Sequence, residues 1–136
     1  MAVTAKQFGQ FALHLANGDI DFTVDTIKVA LLTDVAVIDQ DTNDFWSDLS
    51  TNEATGTGYT AGGATLASKT VTYTAATNRV MLDAADPSWA TSTITARYAV
   101  YYKDTGTGST SPLISYVDFG EDVSSTAAAF TIEIDA

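Results

Sequence analysis

The sequence predicts a mainly β fold: a single-domain antiparallel β-sandwich or partly closed barrel with one N-terminal α-helix. Three observations carry this. Thr is the commonest residue, at 22 of 136, and its β-branched side chain suits a pleated surface better than a helix. Short apolar-alternating segments recur between clusters of Gly, Asn, Asp and Pro, the pattern of sandwiches and small barrels. Of the 17 acidic residues 14 are Asp and only 3 are Glu, a poor stock for long surface helices. A chain of this length buries roughly two-thirds of its unfolded surface, enough for one core, so residues 1–136 read as one domain.

The elements follow in order. Thr4-Ala5-Lys6-Gln7 has the form of a capping box. Phe8, Phe11, Ala12 and Leu15 then recur at helical spacing, and Asn17-Gly18 is a stop signal. A helix over about 4–16 is expected, docked through Phe8, Phe11 and Leu15, because a helix this short is marginal alone. The β-body is expected over about 26–136. In TIKVALLT (26–33), Ile27, Val29 and Leu31 fall on one face and Lys28, Ala30 and Leu32 on the other, which reads as a central strand apolar on both sides. A long loop follows over about 34–59, in which DTNDFWSDL (41–49) is expected to form a short helical turn begun by an Asx or Thr cap. Gly56, Gly58, Gly62 and Gly63 punctuate the approach to the next strand. LASKTVTYT (66–74) and RVMLD (79–83) flank a four-residue hairpin loop, Ala75-Ala76-Thr77-Asn78. Asp86-Pro87 breaks the pattern. STITARYAVYYK (92–103) is the longest strand candidate, with Ile94, Ala96, Tyr98, Val100 and Tyr102 on one face. TGTGSTS (105–111) is a turn, PLISYVDF (112–119) the next strand and AFTIEID (129–135) the last.

The charge balance constrains partners. With 6 basic residues scattered along a chain of net charge −11, a nucleic acid or an anionic membrane is not an expected partner. No cysteine is present, which removes disulfides, thiolate zinc sites and cysteine nucleophiles. Neither a signal-peptide pattern nor an apolar run of membrane-spanning length is read, so synthesis in the host cytoplasm is expected.

Catalytic and ligand motifs are weak. Asp104-Thr105-Gly106 matches the turn by which aspartic proteases present a carboxylate, but Lys103 precedes it and a solvated Thr-Gly-Ser-Thr-Ser string follows, so a hairpin turn is expected. Asp39, Asp41 and Asn43 have the first three spacings of a calcium loop, but Asp44 stands where Gly is needed and Ser50 where a bidentate Glu is needed. Whether the loop over 39–48 takes calcium stays open at this stage. The glycines over 56–63 lack the Lys-Ser or Lys-Thr of a phosphate cradle, and His14 is the only histidine. No catalytic residue, metal ligand set or cofactor is therefore expected, and the protein reads as a non-enzyme. The aromatics are expected to be mostly core. Phe45, Trp46, Tyr59 and Trp89 are the candidate contact residues; Trp46 and Trp89 fall in predicted loops and would be anchors for a partner if exposed. On that reading Trp46→Ala would weaken attachment and leave the fold intact.

The succession of TIKVALLT, DFWSDLS, GTGYTAGGATLASKTVTY and ITARYAVYYKDTGTGSTSPLISYVDFGED resembles small virion proteins of tailed bacteriophages over about residues 26–122. The resemblance implies a structural role by contact and copy number, without functional residues that transfer by position. Within it, a head decoration or cement protein is expected, bound to the major capsid protein on the outer surface of the head and bridging capsid subunits. Self-association, a trimer by class, is also implied. A tail-associated receptor- or glycan-binding module is the alternative.

Overall fold

A computed structural model describes residues 2–134. The chain runs β1 (Thr4–Gln7), α1 (Phe11–Asn17), β2 (Ile27–Leu32), two 3-10 turns (Trp46–Asp48 and Ser50–Asn52), β3 (Ala64–Thr65), β4 (Thr70–Thr74), β5 (Arg79–Asp83), β6 (Ser88–Lys103), a 3-10 turn (Gly108–Thr110) and β7 (Leu113–Thr131). The main sheet is antiparallel with strand order β1-β7-β6-β2-β3, and β4 and β5 pair separately as a hairpin. The mainly β, antiparallel class with one helix is as read from the sequence. The sheet is open, with β1 and β3 at its edges, so the architecture is sandwich-like and is not a closed barrel.

Both faces of the main sheet are covered, and β2 shows why. Ile27, Val29 and Leu31 join one apolar cluster with Phe22, Ala99 and Ile114. Ala30 and Leu32 join a second on the opposite face with Phe8, Trp46, Val100 and Leu113. Alternation along a strand divides its side chains in this way. The strand is flanked on both sides, by β6 in the register Ile27↔Lys103 to Leu32↔Tyr98 and by β3.

The N-terminal segment departs from expectation. Residues 4–7 are a strand paired with β7, from Thr4↔Asp118 to Gln7↔Ser115, and the helix begins only at Phe11. A capping box is worth roughly 1 kcal/mol, less than a run of ladder bonds against a sheet edge. The change of element places Phe8 in the second cluster and Phe11 in the first. Leu15, expected to dock, is exposed. The stop is as read: Gly18 adopts φ +78° and donates to the Leu15 carbonyl, while the Asp19 N–H donates to that of His14.

Two further corrections concern the long strands. β6 begins at Ser88, directly after Pro87, so Trp89 lies in a strand. The β6–β7 register shifts between Ala96, opposite Val123, and Tyr98, opposite Asp118, so Arg97 on β6 faces four unpaired residues, Phe119 to Asp122, on β7. Alternation along β6 reverses across this irregularity. Ile94 and Ala96 therefore share a face with Ala99, while Val100 and Tyr102 belong to the opposite cluster, where one continuous face was expected. In β7 the strand also continues through 120–128, turning at Gly120 with φ +83°. Asp135, the end of the last expected strand, lies outside the described residues.

The hairpin loop over 75–78 is as read, with β4 and β5 in the register Thr70↔Asp83 to Thr74↔Arg79. Every residue of β4 is exposed. Leu82 packs against the first cluster, and contact with the body lessens toward the tip.

Candidate functional site

The loop over 34–59 is built around Trp46. Its turn is fixed by Asp48, whose Oδ2 accepts the N–H groups of Asp44 at 2.8 Å and Phe45 at 3.0 Å. The acid thus caps from inside the turn, where a cap from the preceding Asx or Thr was expected. Trp46 then lies flat on Tyr102, with ring centroids 4.7 Å apart and planes 5° from parallel. It is 7% exposed and Trp89 is 6% exposed. Trp89 packs edge-on to Phe130 at 6.1 Å and against Tyr59 at 5.6 Å. Neither indole meets the condition, exposure, under which it would serve as an anchor.

Tyr59 is half-buried and ties the glycine-rich segment to the sheet. Its hydroxyl donates to Glu53 Oε1 at 2.7 Å and accepts the Leu31 N–H at 3.0 Å. Burial, reinforced by Glu53, raises its pKa well above the usual phenol range. Glu53 also accepts the Gly62 N–H, and the Tyr102 hydroxyl donates to the Gly62 carbonyl at 2.7 Å. Gly63 follows at φ +84°, where a Cβ would stand 1.9 Å from the Val29 carbonyl oxygen, so only glycine fits this approach. The four sequence candidates are thus not brought together as one surface: Trp89 and Tyr59 share one cluster, Trp46 belongs to the other, and Phe45 lies half-buried beside His14.

His14 is the centre of a polar cluster that the sequence did not disclose. Nδ1 lies 3.0 Å from Asp19 Oδ2 and Nε2 lies 2.7 Å from Asp44 Oδ1. A ring with a carboxylate at both nitrogens fits the imidazolium, which donates from both. Burial opposes that charge, but the hydrogen bonds donated to Asp19 and Asp44 outweigh it and the pKa is raised. Spacing could have suggested Asp19 as a partner; Asp44 is 30 residues away and is placed only by the loop. Two neighbouring ion pairs, Lys103–Asp25 at 3.0 Å and Lys28–Asp104 at 2.7 Å, complete this end of the sheet. Lys28 lowers the Asp104 pKa, and the Gly106 N–H donates to the same carboxylate, so Asp104 is a paired turn residue.

The carboxylate of Asp39 is likewise engaged: it accepts the N–H groups of Asp41 and Thr42, and Asn43 Oδ1 accepts the N–H of Asp39. Among the described residues no group of three or more His, Asp or Glu side chains is arranged to hold a metal ion. No buried side-chain polar atom among them lacks a hydrogen-bond partner.

The β4–β5 hairpin leaves an apolar face uncovered. Cross-strand register puts Val71, Tyr73, Val80 and Leu82 on one face of the β4–β5 hairpin. Tyr73 is 63% and Val80 64% exposed. A cleft of about 410 Å³ runs between the hairpin and β1, lined by Ala5, Lys6, Phe11, Val80, Leu82 and Ile114. A second exposed apolar pair, Val35 and Val37, lies at the start of the long loop, and Ala36 between them is buried.

No protein-family model matches the chain, and no curated protein or solved structure matches it significantly. Among the described residues no helix is long and apolar enough to cross a membrane.

Proposed function

We propose that this protein is a bacteriophage head decoration protein, which binds the major capsid protein on the outer surface of the shell and stabilises it by bridging subunits. The observation that carries the reading is the apolar face left exposed on the β4–β5 hairpin. His14, Arg97 and Asp104 each have an oppositely charged partner, whereas Val71, Tyr73 and Val80 stand exposed on a hairpin. Side chains left in that state serve contact, and a contact repeated over a lattice adds many small burials into resistance to internal pressure. The net charge of −11 supports an outward position, away from packaged DNA. A tail-borne glycan-binding module has less support, because a sugar platform needs several open aromatic faces, and among the described residues both indoles are buried and Tyr73 is the one large exposed aromatic.

Electron cryomicroscopy of purified virions tests the proposal. Copies in regular array over the head lattice are expected, and a few copies confined to the tail tip would overturn it. Substituting Tyr73 and Val80 together by Thr should lower occupancy and leave the far-ultraviolet dichroism of the isolated protein unchanged.

A further inference from the structure

We infer that the β4–β5 hairpin docks on the loop over 34–41 of a second copy of this chain, making a head-to-tail contact. This rests on reading the hairpin as a contact surface, and it names what covers that surface.

The argument begins with charge. Residues 29–53 contain six acids (Asp34, Asp39, Asp41, Asp44, Asp48 and Glu53) and no base. Residues 54–82 contain no acid and two bases, Lys69 and Arg79. Residues 87–103 are also free of acids, but their two bases, Arg97 and Lys103, are ion-paired, so in a chain of net charge −11 the hairpin above Asp83 is a stretch whose tip an acidic surface attracts. Lys69 is engaged at the hairpin base, donating to the Asp25 carbonyl. Arg79, at the tip, makes no ion pair among the described residues, and neither does Lys6 across the cleft.

The apolar surfaces match in the same sense. Val35 is 67% and Val37 82% exposed, two positions apart and flanked by the exposed Asp34, Asp39 and Asp41. They present an apolar pair with an acidic rim, and the hairpin presents Tyr73 and Val80 with a basic rim. The two surfaces cannot meet within one copy. Ala36 and Ile38 pack on the second cluster and Leu82 on the first, so they lie on opposite faces of the main sheet. Like charge at Arg79 opposes a twofold contact between hairpins. A contact joining two different surfaces is heterologous and propagates beyond a dimer, into a ring if the rotation closes.

Sedimentation velocity on the purified full chain tests this without any capsid, so its outcome is separable from that of virion imaging. The wild-type protein should form species larger than a dimer as concentration rises, weakened by salt. A hairpin variant, Tyr73→Thr with Arg79→Gln, and a loop variant, Val37→Ser with Asp41→Asn, should each associate at least about tenfold more weakly. Each keeps one surface intact, so an equimolar mixture should give a one-to-one heterodimer and nothing larger. The single changes Arg79→Gln and Asp41→Asn repeat the test without touching apolar groups. A wild-type protein that is monomeric throughout, a variant that assembles like wild type, or a mixture that associates no better than its components would overturn the inference.

Discussion

Trp46 and His14 show how far single residues were legible. Trp46 carries a local signal of exposure, with Asp44 and Asp48 on either side, yet its ring is stacked on Tyr102, a residue 56 positions away that no local pattern could pair with it. The expectation for Trp46→Ala therefore reverses. It removes a buried indole from the second cluster and should cost about 3–5 kcal/mol in urea-induced unfolding, with any loss of attachment following from loss of fold. His14 was legible as the only histidine and not as a charged one. Its folded pKa lies above the unfolded value of about 6.5, so the protonated ring binds its two carboxylates more favourably in the folded state. That contribution is complete below about pH 6.5 and is lost as pH rises through the raised folded value. The stability difference between wild type and His14→Gln should accordingly be larger near pH 5.5 than near pH 9. Equal differences at both would mean that folding leaves the imidazole pKa unchanged, and a smaller difference near pH 5.5 that the ring is held neutral in the fold. Proton NMR titration of the single imidazole gives the same quantity directly.

The elements divide by whether their signal was local. β2 and the β4–β5 hairpin were readable because alternation and a four-residue loop specify them within a dozen positions. β1 was misread because its partner, β7, is distant in sequence and its own four residues carry a helix-start motif. The face assignment of β6 failed at Arg97, since a bulge is a property of the pairing and leaves no mark in one strand's composition. The Arg97–Asp118 ion pair at 2.7 Å bridges the two strands at that point. Burial differs sharply among these strands, so amide exchange should be slowest in residues 29–32 of β2 and in their β6 partners and fastest, among strands, in β4. Comparable protection in β4 at low protein concentration would mean that the hairpin is held to the body more firmly than its exposure indicates.

For the molecule as a whole, the excess of acids sets a condition on stability. Net charge of −11 on a compact body is self-repulsive, and the described ion pairs are few and lie near the surface. Calorimetry on dilute protein should therefore show the melting temperature rising as sodium chloride is raised from low levels to about 0.15 M, where the screening length falls to about 8 Å. A fall would mean that the ion pairs outweigh the repulsion. The mainly β class was legible at this scale from the threonine content and the turn spacing. The contact surfaces were not, since exposure at Val37 and Tyr73 depends on which neighbours the fold brings near. The pairing of β1 with residues 115–118 of β7 has a temporal consequence as well. β1 must wait for more than 100 further residues before its partner exists, and the pairings of β2 with β3 and β6 close long loops as well, whereas β6 and β7 form a hairpin. Folding is thus expected to be slow, on the millisecond to second scale of non-local β topologies, and to begin in earnest only after synthesis has passed β7.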